Sequence, residues 1–567
     1  MLFSNFWLNM INLNISDLKY FNIKIILGFL VLICFFSTLN MVPPLDRDES
    51  RYIQATVQML ETKDFVNINF LESPRLKKPP GIYWLQAISA VGIKNIFFLD
   101  SAPIWAFRIP SAIGASASIW VTFLLGQLLF GRAQGLIAAL LLMSSPIVIM
   151  ESHIAKTDSV LLALFLCALY ILVKIVFYED KKLPKPSDIT VFAFWIIMSF
   201  TFLIKGPIAL VILLLTIISY KVLKEPINFK DLKPIMGIIL FMLIILPWFI
   251  LINSGNNNDV LFNTIKKDML LKLVSVQESH GAPPGSYLLS SMLTAWPIAL
   301  FIIPSALWCF KNKDNKSVKF LLCSLIPSWL FFEIIPTKLL HYVLPLLPSF
   351  AILTAAMIIS SVKGIKFRSI SENYIFKFLS ALPFLGGAII AAGIIYIGNR
   401  YGEGLTLSIL LIASIYLFSS FLCGYFLYIK SFIKAALVVI ICNIIALKLL
   451  IILIPNQLQK IWISERIYSQ IQDKNLSEVF LLLGYSEPSL IFRLGSQTKI
   501  VSSNNEAIDL ILNKKINYII IEKFYLDQFK KLSEKNGIVI NAIGNSILGF
   551  NYSKGKNVEV IVMYLNQ

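Results

Sequence analysis

The sequence predicts an all-α polytopic membrane protein of about thirteen transmembrane helices, followed by a small α/β domain. Three observations carry this prediction. Of the 567 residues, 57% are hydrophobic and 14% are charged, where a soluble chain would carry about 25% charged residues. Apolar runs of roughly 20 residues recur from Ile23 to Leu453, each long enough to cross ~30 Å of hydrocarbon. After Pro455 charged residues return, and short β-rich runs replace the long apolar ones.

The expected spans are 23–42, 105–130, 134–151, 158–178, 190–205, 207–221, 234–252, 287–310, 318–335, 340–361, 376–398, 405–429 and 433–454. The first run lacks a small-residue cleavage site, so it reads as a retained span. With this count, one set of loops holds Arg132, Lys181, Lys182, Lys185, Lys221, Lys224, Lys230, Lys233 and Lys311, and continues to Lys434. Such a basic series marks the cytoplasmic side. A further crossing at 81–98 would invert every later loop, so that stretch is expected to lie at the outer interface or to re-enter. The net charge of +18 then reflects topology and anionic headgroups, with no nucleic-acid partner implied. The six cysteines all fall inside apolar runs without metal-ligand spacing, as small buried hydrophobes do.

The division expected is a membrane domain over 1–454 and an extracytoplasmic α/β domain over 455–567. The outer loop 43–104 should carry interfacial helices, because Ile53, Val57 and Leu60 share one face of a helix starting near Glu49. Strand runs are expected at Val479–Leu483, Tyr518–Ile521, Ile538–Ile540 and Val558–Val562. There is no solenoid repeat and no Walker or GxGxxG phosphate loop.

The polar motifs gather on the outer side. Asp46, Arg47, Asp48, Glu49 and Arg51 crowd together just after the first span. A carboxylate beside arginines can serve as a base, although such clusters are also ordinary solvated loops. Lys77 and Lys78 precede Pro79-Pro80, which hold the backbone extended until a helix can start. Paired cations there suit a phosphate, or else an interfacial anchor with Tyr83 and Trp84 as belt aromatics. Glu151, His153, Lys156 and Asp158 cluster at a span end, either as a mutually paired set or as part of a site. Lys272, Glu278 and His280 lie in a Pro- and Gly-rich outer loop, where carboxylate and imidazole could ligate a divalent metal. Lys338, His341 and Tyr342 open another span, with Lys338 able to snorkel. Lys448 reads as a snorkelling lysine too.

In order along the chain, Asp48-Glu49-x-Arg51-Tyr52, Lys78-Pro79-Pro80-x-x-Tyr83-Trp84, Arg108-x-Pro110-Ser111-Ala112, Thr157-Asp158, Lys205-Gly206-Pro207 and Lys338-x-x-His341-Tyr342-x-x-Pro345 resemble the GT-C membrane glycosyltransferases. Within that group they look like the branch of lipid A aminoarabinose transferases and protein O-mannosyltransferases, over roughly residues 25–360. The resemblance implies an inverting transfer of sugar from a polyprenyl phosphate, outside the cytoplasmic (inner) membrane, to lipid A or another envelope glycolipid. It implies Asp48 as the catalytic carboxylate; Glu49 and Asp158 are the next candidates among the residues themselves. It matches Arg51 and Lys78 to the family's loop cations and Tyr342 to its aromatic contact near the lipid phosphate; Lys338 and Lys272 are read beside them as further cations for the departing phosphate. Aminoarabinose transferases tend to have Glu before the loop lysine, where it can join a metal site; here the position is Lys77. Glu278 and His280 therefore remain the metal candidates, and a divalent ion is the one cofactor considered.

Two other readings stay open. The acceptor could be a protein hydroxyl or a polysaccharide. In a different class, the chain could transport polyprenyl-linked sugars, although transporters place polar groups mid-span and show paired, interrupted helices.

Overall fold

A computed structural model of the chain describes residues 23–75, 78–253, 281–362, 374–472, 478–514 and 516–566. Among the described residues, nine helices are long and apolar enough to cross a membrane, or up to eleven if each of two bent pairs counts as one span. The bends fall within Arg132–Met143 plus Pro146–Ser152 (66°) and Ser286–Thr294 plus Ile298–Lys311 (115°). Two further expected spans appear as the shorter apolar helices Ile23–Phe35 and Ile208–Val222. The chain is a multi-pass membrane protein with a separate C-terminal sheet. The stretch at 81–98 forms the helix Gly81–Ile96, which is not among the spanning candidates.

The two ends of the bundle differ in charge. At one end, Lys185 pairs with Asp231 at 2.6 Å, Lys233 with Asp188 at 2.5 Å, Lys316 with Asp180 at 2.8 Å and Lys319 with Glu225 at 2.6 Å. Of these, Lys233–Asp188 and Lys316–Asp180 are solvent-exposed and add little stability each, but together the four show that the basic loops expected on one side do meet. The acidic and cationic motifs collect at the opposite end.

Two glycines set the spacing there. A methyl on Gly81 would lie 2.8 Å from the Leu203 carbonyl oxygen, and one on Gly114 would lie 2.7 Å from that of Ser159. The first contact holds the helix Gly81–Ile96 against Asp188–Lys205, and the second holds Ile104–Leu129 against Asp158–Phe177. Pro80 is the N-cap of Gly81–Ile96, so that helix starts where the Pro-Pro pair predicts.

The helix Asp48–Thr62 is amphipathic as expected. Its apolar stripe turns inward, however. Ile53, Val57 and Leu60 pack with Ala90, Phe107, Ala155 and Phe492, so protein covers the stripe that the sequence suggested for an interface. Tyr83 is also buried and not a belt residue, lying 5.3 Å from Tyr52 between ring centroids.

After Phe432–Gln457, which runs through Pro455, the chain builds a five-stranded sheet. Its order is Lys499–Val501, Phe480–Leu483, Tyr518–Glu522, Lys556–Asn566, Val539–Asn551. The first three are parallel and the last two form an antiparallel hairpin. Phe480 and Leu482 face one core, and Leu481 and Leu483 the other. Burial on both faces explains why this strand reads as an unbroken apolar run. The edge strand Lys499–Val501 is too short to signal itself. Val539–Asn551 extends well past the expected run, which the sequence hides because Asn541, Gly544 and Asn545 are poor strand formers. Its register breaks between Ile543 and Ile547, where Gly544 takes φ 65°.

Candidate active site

The site is assembled from four segments that meet at the polar end of the bundle. Glu49 sits in the first turn of Asp48–Thr62 and points inward. Both its oxygens bind Arg108, at 2.8 and 2.9 Å, and they also accept from the backbone N–H of Ala155 (2.8 Å) and of Leu45 (3.0 Å). Arg108 donates further to the carbonyls of Leu39 and Val42, each at 2.7 Å, and of Pro43 at 3.2 Å. A buried pair of this sort is viable only when its remaining donors and acceptors are also met. Here it ties the first loop to the helix Ile104–Leu129 and to the loop before Asp158.

Asp48 is the neighbouring residue, yet it is exposed and faces a cleft. Arg51, one turn on in the same helix, lines the cleft with it, as do Arg75 and Lys78 from the loop that follows. Arg75 is buried, donates to the Tyr83 hydroxyl at 3.2 Å and lies 5.1 Å over the Tyr52 ring. The floor is an acidic pair with two lysines. Lys205 is ion-paired with Asp158, and Lys156 lies 3.2 Å from Glu151 and 3.9 Å from Asp158. Burial works against the charge on Lys156, but Glu151 and Asp158 outweigh it and hold its pKa above the ordinary lysine range. His341 reaches Glu151 and Asp158 at 3.9 Å each, and Tyr342 presents its ring to Lys205 at 5.5 Å.

Among the described residues, Glu151, Asp158 and His341 could offer three ligand atoms within 4.8 Å of one another. Each carboxylate already has an ammonium partner, so a divalent cation would have to displace one. Glu151 Oε2 is left without a hydrogen-bond partner, a single orphan that one water would satisfy. This donor set fits the two lysines better than a metal ion. Glu278, His280, Lys272 and Lys77 lie outside the described residues.

With that geometry in view, the chain can be set against known proteins. Its fold matches a crystal structure of ArnT from Cupriavidus metallidurans bound to undecaprenyl phosphate, with TM-score 0.72 over 95% of this chain and 97% of that one, at 16% identity. The chain has the GT-C fold, in its ArnT-like form. Residues 26–262 match the family model for dolichyl-phosphate-mannose-protein mannosyltransferase. Relatives by sequence include the undecaprenyl phosphate-alpha-4-amino-4-deoxy-L-arabinose arabinosyl transferase of Pectobacterium carotovorum, 24% identical over 66% of this chain and 67% of its own length. Transferase 1 of that name from Pseudomonas fluorescens is 23% identical over 59% of both chains. The one from Aeromonas hydrophila is 28% identical over 59% of this chain and 60% of its own. The matched stretch thus spans about six-tenths to two-thirds of these relatives.

Within this GT-C fold, the structure brings Asp48, Arg51, Lys78, Asp158 and Tyr342 to one cleft. Glu49 faces away from it, into its clamp with Arg108. Lys338 is also absent from the lining. Its ammonium donates to the carbonyls of Glu333 (2.9 Å) and Ile335 (2.6 Å), capping the preceding helix end. Sequence reasoning did not single out Arg75, Lys205 or His341 as site residues. Lys205 and His341 did stand inside motifs, but Arg75 is a lone arginine in a polar loop and gave no signal. Lys448 does not snorkel: it donates to Thr38 Oγ1 at 2.6 Å, which in turn meets His153 Nε2 at 2.8 Å.

Proposed function

We propose that the chain is an inverting membrane glycosyltransferase. It moves a sugar from a polyprenyl-phosphate donor to lipid A or another envelope glycolipid, at the outer face of the cytoplasmic membrane. Residues 1–454 are the catalytic membrane part and 455–567 an outer domain. One observation carries the reading: the exposed carboxylate of Asp48 shares a cleft with the cations Arg51, Arg75 and Lys78. The names of the relatives, which specify an undecaprenyl-phosphate-linked sugar, support a donor of that kind. The outward orientation is supported by the basic loops at the far end of the bundle.

The chemistry follows from the positions. Asp48 takes the proton from an acceptor hydroxyl as that oxygen bonds to the anomeric carbon. The bond from this carbon to the phosphate oxygen breaks, and its electron pair stays on the phosphate. Arg51, Arg75 and Lys78 meet the charge as it grows, which is where fixed cations lower a barrier most. Asp158 is held by Lys205 and Lys156, so its role is to fix those lysines and the aromatic Tyr342 beside the donor. Glu49 positions the loop and does not act as the base.

The decisive experiment uses the purified full chain in detergent with a polyprenyl-phosphate sugar and an acceptor glycolipid. Transfer should occur, with inversion at the anomeric carbon. A transporter would leave the donor unconsumed, because transport needs two compartments.

A further inference from the structure

Two polar residues of the last span, the helix Phe432–Gln457, do not line the cleft. Asn443 is buried, and its amide nitrogen donates to the Ser144 carbonyl at 2.5 Å and to that of Trp296 at 3.4 Å. Both partners can only accept, so the nitrogen and not the oxygen faces them. Each partner lies at the break of one of the two bent helix pairs. The Ser144 carbonyl is open to Asn443 because the Val148 N–H, its partner in a continuous helix, turns to Ser145 instead.

Five residues further on, Lys448 donates to Thr38 Oγ1 at 2.6 Å, and that oxygen lies 2.8 Å from His153 Nε2. The direction of this relay follows from its far end. His153 Nδ1 lies 2.8 Å from the Ile149 carbonyl, an acceptor, so Nδ1 carries the ring proton. Nε2 then accepts from the Thr38 hydroxyl, whose oxygen accepts from Lys448. Among the described residues the Lys448 ammonium has no carboxylate partner. A cation kept that way within a span is costly and marks a functional position.

The relay ends on the same two segments that the Glu49–Arg108 clamp ties. Thr38 is followed by Leu39, whose carbonyl accepts from Arg108. His153 precedes Ala155, whose N–H donates to Glu49, and Lys156, which pairs with Glu151. The loop from Thr38 to Asp48 is braced again further along, where the Asp46 N–H donates to the Tyr552 hydroxyl at 2.6 Å and Arg47 donates to the Ser553 carbonyl. The last span leads into the sheet that carries those two residues, so one continuous part of the chain holds both ends of the loop.

We infer that Lys448 and Asn443 are positioning residues for transfer: through Thr38, His153 and the break at Ser144, the last span keeps Asp48 and Lys156 in their places in the cleft. The inference rests on the glycosyltransferase reading and adds to it a part of the bundle that touches no substrate. It requires turnover, and not donor binding, to depend on the relay.

The test measures turnover, the KM for a polyprenyl-phosphate sugar and the thermal midpoint of the full chain in detergent. Lys448→Met should lower turnover roughly ten- to a hundredfold, as small displacements of reacting groups do, and leave the donor KM unchanged. Lys448→Arg keeps a donor to Thr38 and should recover most of the loss. Thr38→Val should match Lys448→Met, and the two together should be no worse than either, because both break one chain. Lys434→Met, the same charge loss at the far end of the helix, should change nothing. Parental turnover in Lys448→Met, additive losses in the double variant, or an arginine variant no better than methionine would overturn the relay. If Lys448→Met does not fold, Thr38→Val carries the test; if neither folds, the role is structural and the inference fails. A parent chain that consumes no donor sinks the glycosyltransferase reading instead, so the two failures are distinguishable.

Discussion

Glu49 grips Arg108 through both carboxylate oxygens, with neither side chain exposed to solvent. Removing one partner would leave a buried charge uncompensated, which typically costs 3–5 kcal/mol. Arg108→Met should therefore lower the thermal midpoint sharply and reduce the yield of folded protein. Glu49→Gln combined with Arg108→Met should recover part of that loss. Equal melting of the single variant and the parent would mean the clamp is not structural.

Asp48→Asn should leave folding and donor binding intact and lower transfer by ~10²–10⁴-fold, the usual worth of a general base. The comparison is turnover against undecaprenyl phosphate affinity in the same preparation. Near-normal turnover would move the role to another carboxylate.

Lys78→Ala should weaken donor binding by one to two decades, since a hydrogen bond to a charged group is worth ~1.5–3 kcal/mol. Turnover should fall as well, because phosphate charge peaks as the sugar leaves. Lys78→Arg should recover only part, its planar fork replacing a point charge. Unchanged donor affinity in the alanine variant would make Lys78 a membrane anchor.

Burial pushes the Asp46 carboxyl up to about 6, from 3.8. The folded state then binds this proton more readily than the unfolded state, so stability from this group is present at low pH and is lost as pH rises through about 4 to 6. Asp46→Asn should raise the melting temperature more at pH ~8 than at pH ~5. A pH-independent effect would show that the carboxyl is not buried in the way its contacts with Ser489 and Tyr552 indicate.

Gly81→Ala should move the helix Gly81–Ile96 off Asp188–Lys205. Overpacking of this kind costs about 1–3 kcal/mol, and it would separate Lys78 from Lys205. The expected result is reduced stability together with weaker donor binding. An alanine variant with parental donor affinity would show that the close approach does not set the cleft.

The sequence was most informative where chemistry and topology coincide. Asp48, Lys78, Asp158 and Tyr342 stand in ordered motifs, and all reach one cleft. It was least informative about neighbours in one helical turn. Asp48 and Glu49 are both acidic and adjacent, but successive residues on a helix point about 100° apart, so one faces the cleft and the other the core. Only the position of Arg108, 59 residues away, decides which is which. Lys205 stands in a motif, but its place in the site was not legible for a similar reason, because its partner Asp158 lies 47 residues back in another helix. Lys338 was misleading: a lysine at a motif start reads as a phosphate ligand, yet the carbonyls at the end of its own preceding helix claim it first.

The hairpin contacts at Tyr552 and Ser553 join residues 506 positions apart in the chain. The loop bearing Asp48 is thus made early and its brace late. At ~5–20 residues per second of synthesis, about 25–100 s separate the two. During that interval the spans can insert while the loop still lacks its support. Completion of the sheet, and not insertion of the first helices, is therefore the step that gives the loop beside Asp48 its last two contacts.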